Sequence, residues 1–287
     1  MRRHGMTTAA AAALIVIIGS AASGQTAKPG DAGAAPLRAG WNLMATPVFG
    51  EADDARILAL FKGLRVSDVV DGMDAAGLQN IGIMDPAIHA MWRDERTLCH
   101  RFAGIAVTAR YVPTQEPPAG RMSVAAYDAW AGEWYENRSS ELYADLVRKG
   151  TALVIEDAPG ADVGSIGSYN ILEWENRGCV GVVTSGTARD ADEIALERVP
   201  LYFRGPGRGI RPGRNELESV NRPVVCGSVL VVPGDVVVAD GDGVVVVPRA
   251  KAEAVAAYAR KILDADKEGR RDLYRKAGLK EDASVRK

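Results

Sequence analysis

The stretch VLVVPGDVVVADGDGVVVVP, residues 229–248, constrains the fold more than any other part of the chain. Its three β-branched runs are parted by Pro-Gly-Asp and Gly-Asp-Gly, and β-branched side chains lose rotamer freedom in a helix. Consecutive short strands joined by tight turns are therefore expected. Asp240 and Asp242 lie at the second break, but they lack the regular oxygen-ligand spacing and closing Glu of an EF-hand calcium loop, so turn chemistry is the better account of them.

Other segments extend this into a mixed α/β pattern. Residues 104–112 (GIAVTARYV) alternate and read as a strand, as do 151–155 and 180–184, with a helical stretch at 171–176 between the last two. That strand, helix, strand order argues for a mixed α/β layer. Residues 53–64 carry apolar positions at helical spacing. A second helix is expected over 66–76, with Ser67 as its N-cap, Asp68 and Asp71 favouring the positive end, and Gly77 as its stop. Residues 120–149 hold Tyr127, Trp130, Trp134, Tyr135 and Tyr143, a spacing that packs a helix onto the body of the protein. Residues 249–278, rich in Ala, Lys, Arg and Glu, predict one or two amphipathic helices at the C-terminus.

At 287 residues and 47% hydrophobic, the chain is long enough to bury a full core. A formal charge of -2 gives no footprint for nucleic acid, and Arg208, Arg211 and Arg214 are expected to be solvated loop charges. Cys99, Cys179 and Cys226 show no zinc spacing and allow at most one internal bridge. The last two lie in apolar contexts that suit small buried hydrophobes. Residues 1–24 have the pattern of a secretory signal peptide: Arg2 and Arg3, an apolar core at 9–18, and small residues before Gln25. Export to the periplasm or beyond is expected, with no stable membrane span after cleavage, because that core is shorter than the ~20 residues a spanning helix needs. Residues 25–50 read as a flexible leader, and 51–287 as a single domain.

Two neighbouring features could carry chemistry. The turn Gly164-Ser165-Ile166-Gly167-Ser168-Tyr169-Asn170 leads into the 171–176 helix, and its free amides and helix dipole make a seat for a carboxylate or phosphate. Arg189 and Asp190 follow 19 residues after Asn170, behind the 180–184 strand. Enolate chemistry on a 2-oxo acid needs amides for the carboxylate, a guanidinium for the keto oxygen and a carboxylate for a hard cation. One carboxylate with waters suits Mg²⁺ or Mn²⁺ better than zinc. On the residues alone, a surface ion pair worth under ~1 kcal/mol is still the simpler account of Arg189 and Asp190.

RGCVGVVTSGTARDADEI (177–194), PVVCGSVLVVPGDVVVADGDGVVVVP (223–248), VSDVVDGMDAAG (66–77) and GIAVTARYVP (104–113) together resemble the RraA-like family over about 55–265. That family includes regulator of ribonuclease activity A and the class II 4-hydroxy-4-methyl-2-oxoglutarate / 4-carboxy-4-hydroxy-2-oxoadipate aldolases. The resemblance implies a compact α/β sandwich of swivelling β/β/α type with a C-terminal helix, assembled as a homotrimer or hexamer with sites between subunits. It implies a substrate loop at Gly167, Ser168, Tyr169 and Asn170, a substrate arginine at Arg189 and a metal aspartate at Asp190. Arg189 and Asp190 would be the catalytic pair. The implied chemistry is metal-dependent retro-aldol cleavage, or oxaloacetate decarboxylation, through a pyruvate enolate, with a metal-linked water network moving the protons. An acid of the C-terminal helix, Asp264, Asp266 or Glu268, would complete a neighbouring site. Ser168 and Ser185 stand where the family carries acids, and the aromatic segment 120–149 is longer than its norm. Two other readings stay open: a non-catalytic ribonuclease-binding regulator, and a sugar-acid lyase or dehydratase in which Ser168 and Tyr169 read a hydroxylated substrate.

Overall fold

The computed structural model describes residues 43–157, 160 and 162–286, so the expected signal peptide and most of the leader lie outside the described residues. Two helices come first, α1 (Glu51–Phe61) and α2 (Val66–Ala75). Ser67 is not the N-cap of α2. Arg65 holds that position and donates its backbone N–H to Asp68 Oδ2 at 3.0 Å, while Asp240 Oδ2 takes the Val66 N–H at 2.9 Å. Both carboxylates are buried, so they satisfy amides that solvent does not reach and that a hydroxyl inside the first turn cannot serve.

β1 (His89–Ala90) and the long β2 (Phe102–Pro113) follow, then α3 (Val124–Asn137) and a 3-10 turn at Leu142–Leu146. The middle of the chain runs β3 (Thr151–Glu156), β4 (Gly164–Ile166), α4 (Ser168–Asn176), β5 (Cys179–Thr184), β6 (Thr187–Ala188) and α5 (Ala191–Glu197). Then come β7 (Leu201–Phe203), β8 (Gly205–Pro206), β9 (Asn215–Val220), β10 (Val224–Cys226) and β11 (Val229–Val231). β12 (Val236–Asp240), β13 (Gly243–Val247) and one 26-residue helix, α6 (Ala252–Ala277), complete the chain.

The main sheet has eight strands in the order β1-β7-β5-β3-β2-β12-β13, with β9 also on β2. β2, β3, β5 and β7 pair in parallel, β12 and β13 are antiparallel, and β1 lies against β13, so the sheet nearly closes. The three β-branched runs are strands, but they do not form one continuous meander. β11 pairs with β10 in a separate sheet, and only β12 and β13 make a hairpin. Asp235 explains the break, since it accepts the Val232 and Arg249 amides, each at 2.9 Å, and ties that turn to the start of the C-terminal segment. At the second turn Asp240 accepts the Asp242 amide at 2.8 Å, which is the turn role expected of it.

The unbroken valine runs of β12 and β13 have a simple cause. Val236, Val238, Val245 and Val247 face a core beneath α1, α2 and α6, whereas Val237, Ala239, Val244 and Val246 face a second core with Phe102 and Tyr202. A strand buried on both faces loses its polar alternation, and each such side chain contributes ~1.5–3 kcal/mol of burial. A third cluster around Trp174, Tyr143 and Leu153 packs α4 and α5. Residues 44–287 form one compact unit. All three cysteines are free, with Cys179 and Cys226 buried. Among the described residues no helix is long and apolar enough to cross a membrane.

Candidate functional site

A small parallel sheet, β4-β6-β8, builds the site. β4 passes through Gly167 into α4, and the neighbouring β6 passes through Arg189 and Asp190 into α5. The Arg189 N–H donates to Ile166 O at 2.8 Å, pinning the two turns together. Glycine is required on the facing turn: a Cβ on Gly164 would stand 2.6 Å from Arg189 Cβ, and one on Gly167 would stand 2.7 Å from Asp190 Oδ2.

Asp190 has φ 57°, in the left-handed region that aspartate tolerates better than most residues. It occupies the N-cap position of α5 without a side-chain cap bond to that helix. Its carboxylate instead faces α4, where Oδ2 accepts the Ser168 N–H at 3.2 Å. Arg189 Nε lies 3.7 Å from the same oxygen, and the two side chains are 38% and 39% exposed. Among the described residues, neither terminal nitrogen of Arg189 nor Asp190 Oδ1 has a hydrogen-bond partner. A partly exposed guanidinium with its fork free, beside a carboxylate with one free oxygen, is poised for a ligand.

Gly164, Gly167, Tyr169, Asn170 and Arg189 line a pocket of about 440 Å³. Ser168 and Asp190 meet beside it rather than in its wall, and Tyr169 is 78% exposed. The structure thus brings Gly167, Ser168, Tyr169, Asn170, Arg189 and Asp190 to one place.

Four further residues of this pocket escape sequence reasoning: Arg211, Glu141, Ser140 and Tyr135. Arg211 is not a solvated loop charge, being only 3% exposed. It donates from Nε to Ser165 O at 2.9 Å, and from Nη1 to Ser139 O at 3.0 Å and the Tyr111 hydroxyl at 3.1 Å, while Nη2 pairs with Glu141. Burial works against its charge, but the Tyr143 and Tyr111 phenols and the Glu141 carboxylate outweigh burial and hold its pKa above the ordinary range. Arg208 and Arg214 do sit at the exposed surface, so the loop reading fails for Arg211 alone. Glu141 also accepts Asn170 Nδ2 at 2.7 Å and Trp174 Nε1 at 3.1 Å. With its NH₂ group committed there, Asn170 turns Oδ1 toward Gly167.

The aromatic segment divides. Trp134 and Tyr143 pack into the body as expected, whereas Tyr135 lines the pocket. No acid stands at position 185, yet one meets it: the buried Asp157 donates its N–H to Ser185 Oγ at 3.0 Å, and its carboxylate accepts from Ser165 and Asn215. Of the C-terminal acids, Asp266 pairs with Arg65 at 2.9 Å within its own chain, and Asp264 and Glu268 are exposed.

Among the described residues no group of three or more His, Cys, Asp or Glu could hold a metal. Beside the pocket, Asp190 Oδ1 is a carboxylate oxygen with no hydrogen-bond partner among the described residues. A hard ion that completes its shell with water and ligand oxygens fits such a donor, whereas zinc, which takes three or four protein ligands, does not.

Fold and site together define a mixed α/β protein with a pocket built on paired strand-to-helix turns. The RraA-like family profile, Aldolase/RraA, matches residues 66–246, and the chain belongs to that family. A Halalkalibacterium halodurans protein provisionally named 4-hydroxy-4-methyl-2-oxoglutarate aldolase is 31% identical over 119 residues, 41% of this chain and 56% of that protein. An uncharacterised Methanocaldococcus jannaschii protein is 28% identical over 131 residues, 42% of this chain and 62% of its own. The chain thus spans little more than half the length of these relatives. Streptomyces coelicolor RraAS2, described as an unusual member of the RNase ES inhibitor RraA family, shares 22% identity at a TM-score of 0.58, covering 76% of this chain and 96% of that one. A Pseudomonas syringae protein shares 24% at a TM-score of 0.58, covering 79% and 94%. These structural likenesses show the fold.

Proposed function

We propose that this chain is a carbon–carbon lyase that acts on a 2-oxo acid through a pyruvate enolate, with Mg²⁺ or Mn²⁺ held at Asp190. The observation that carries this reading is the Arg189 guanidinium, unpartnered at both terminal nitrogens in a pocket beside the open Oδ1 of Asp190. The first-turn amides of Tyr169 and Asn170, at the positive end of α4, seat the substrate carboxylate. Arg189 meets the keto oxygen and stabilises the charge that gathers there. When bound, the divalent cation adds Lewis-acid polarisation of that oxygen.

With oxaloacetate the bond to the leaving carboxylate breaks, carbon dioxide departs and its electron pair passes into the enolate. In retro-aldol cleavage the tertiary hydroxyl gives its proton to water, the carbon–carbon bond breaks with its electron pair passing into the enolate, and a second 2-oxo acid leaves. Protonation at carbon then gives pyruvate in both cases. A non-catalytic ribonuclease regulator would have no evident use for a free guanidinium aimed into a pocket. Robust binding of a leaderless form to that ribonuclease would favour the regulator.

The test is pyruvate release from oxaloacetate or 4-hydroxy-4-methyl-2-oxoglutarate with Mg²⁺. Arg189→Ala and Asp190→Ala should each lower kcat/KM by about 10²–10³-fold, as loss of a preorganised electrostatic group does. If wild type and Asp190→Ala release pyruvate equally slowly, the lyase reading fails.

A further inference from the structure

One wall of the pocket comes from outside the two turns. Tyr135 of α3 lines it, 38% exposed, and among the described residues its hydroxyl has no hydrogen-bond partner. The Arg211 guanidinium carbon lies 6.0 Å from its ring centroid. Burial first, set against the nearby cations Arg211 and Arg189, raises the phenol pKa, so at neutral pH the group is an O–H donor.

The support behind Tyr135 is stiff. The adjacent Trp134 is 5% exposed and donates Nε1–H to Asn215 O at 3.0 Å, with the Arg138 guanidinium 5.0 Å above its ring. Just beyond α3, Glu141 is clasped by Arg211, Asn170 and Trp174. A donor held on such a base and left without a protein partner is preorganised for a ligand acceptor. On the lyase reading Arg189 and the α4 amides take the 2-oxo carboxylate end, and a volume of about 440 Å³ leaves room beyond a three-carbon acid.

We infer that Tyr135 is the specificity-determining donor of this pocket, its O–H meeting a second carboxylate at the far end of the substrate. The inference rests on the reading of the pocket as a 2-oxo acid site. α3 then selects longer dicarboxylic 2-oxo acids over pyruvate itself, through one hydrogen bond from a segment that takes no part in the enolate chemistry.

The test is equilibrium binding of pyruvate and 2-oxoglutarate to the full chain with Mg²⁺, followed by NMR titration. The two ligands share the 2-oxo carboxylate end and differ by the far arm. Tyr135→Phe should raise the Kd for 2-oxoglutarate about tenfold, the scale of one hydrogen bond to a charged group, and move that for pyruvate less than about twofold. Tyr135→Ala, which keeps α3 but removes the ring, should show the same selectivity. Equal shifts for both ligands, or none for either, overturn the role of Tyr135. Arg189→Ala reports separately on the site, because it should weaken both ligands. If Arg189→Ala weakens both while Tyr135→Phe changes neither, Tyr135 fails and the site stands; if wild type binds neither ligand, both fall.

Discussion

Gly167 sits where a side chain must displace a neighbour: a Cβ would stand 2.7 Å from Asp190 Oδ2 and 3.5 Å from both Arg189 Nε and Asn170 Oδ1. Its backbone is extended, so alanine meets no conformational penalty, only the carboxylate. Gly167→Ala should displace Asp190 by a fraction of an ångström and cut pyruvate release about 10²-fold, with the unfolding midpoint little changed. A second residue, far from the pocket, sets a pH dependence. His100 is buried and accepts the Asp94 N–H at 3.1 Å, and burial first, then Arg101 and Arg93, lowers its pKa. The unfolded imidazole takes its proton near the ordinary histidine value while the folded one resists to lower pH. Below that ordinary value the unfolded state therefore binds more protons, and stability falls as pH drops. Urea unfolding should show a lower midpoint at about pH 5 than at about pH 7, and His100→Gln should flatten the difference.

The clasp of Arg211 and Glu141 joins elements that the chain order keeps apart: the loop before β9, the turn after α3 and the first turn of α4. Removing one member of a buried pair leaves the other charge uncompensated. Arg211→Met should cost ~3–5 kcal/mol in denaturant unfolding, more than removal of an exposed arginine such as Arg208. Contiguity decided what could be read from the residues. The Gly167 turn and Arg189-Asp190 are each unbroken runs with a local physical meaning, and the valine strands announce themselves by composition. Arg211 lies 70 residues from Glu141 and 100 from Tyr111, amid glycines, prolines and other arginines that look like any solvated loop. Ser67 misled for a related reason, since the carboxylate that took the Val66 amide is 174 residues away. Tyr135 differs from Trp134 by one position on a helix, and no pattern could say which of the two turned inward.

Among the described residues no group of three or more His, Cys, Asp or Glu could hold a structural metal. Chelation by EDTA should therefore abolish pyruvate release while leaving the unfolding midpoint nearly in place, unlike a structural-metal protein, which unfolds with its ion. The homotrimer or hexamer implied by the resemblance predicts three or six times the chain mass by light scattering. The proposed export predicts a mature protein that starts near Gln25. Lastly, Asp190 lies in a left-handed backbone conformation that glycine adopts without steric cost. Among the described residues its carboxylate accepts one hydrogen bond, the long contact from the Ser168 amide. Replacement by glycine would erase the proposed cation ligand and relax the backbone in the same step. On the lyase reading, the substitution most damaging to the proposed chemistry is thus among the mildest for the backbone.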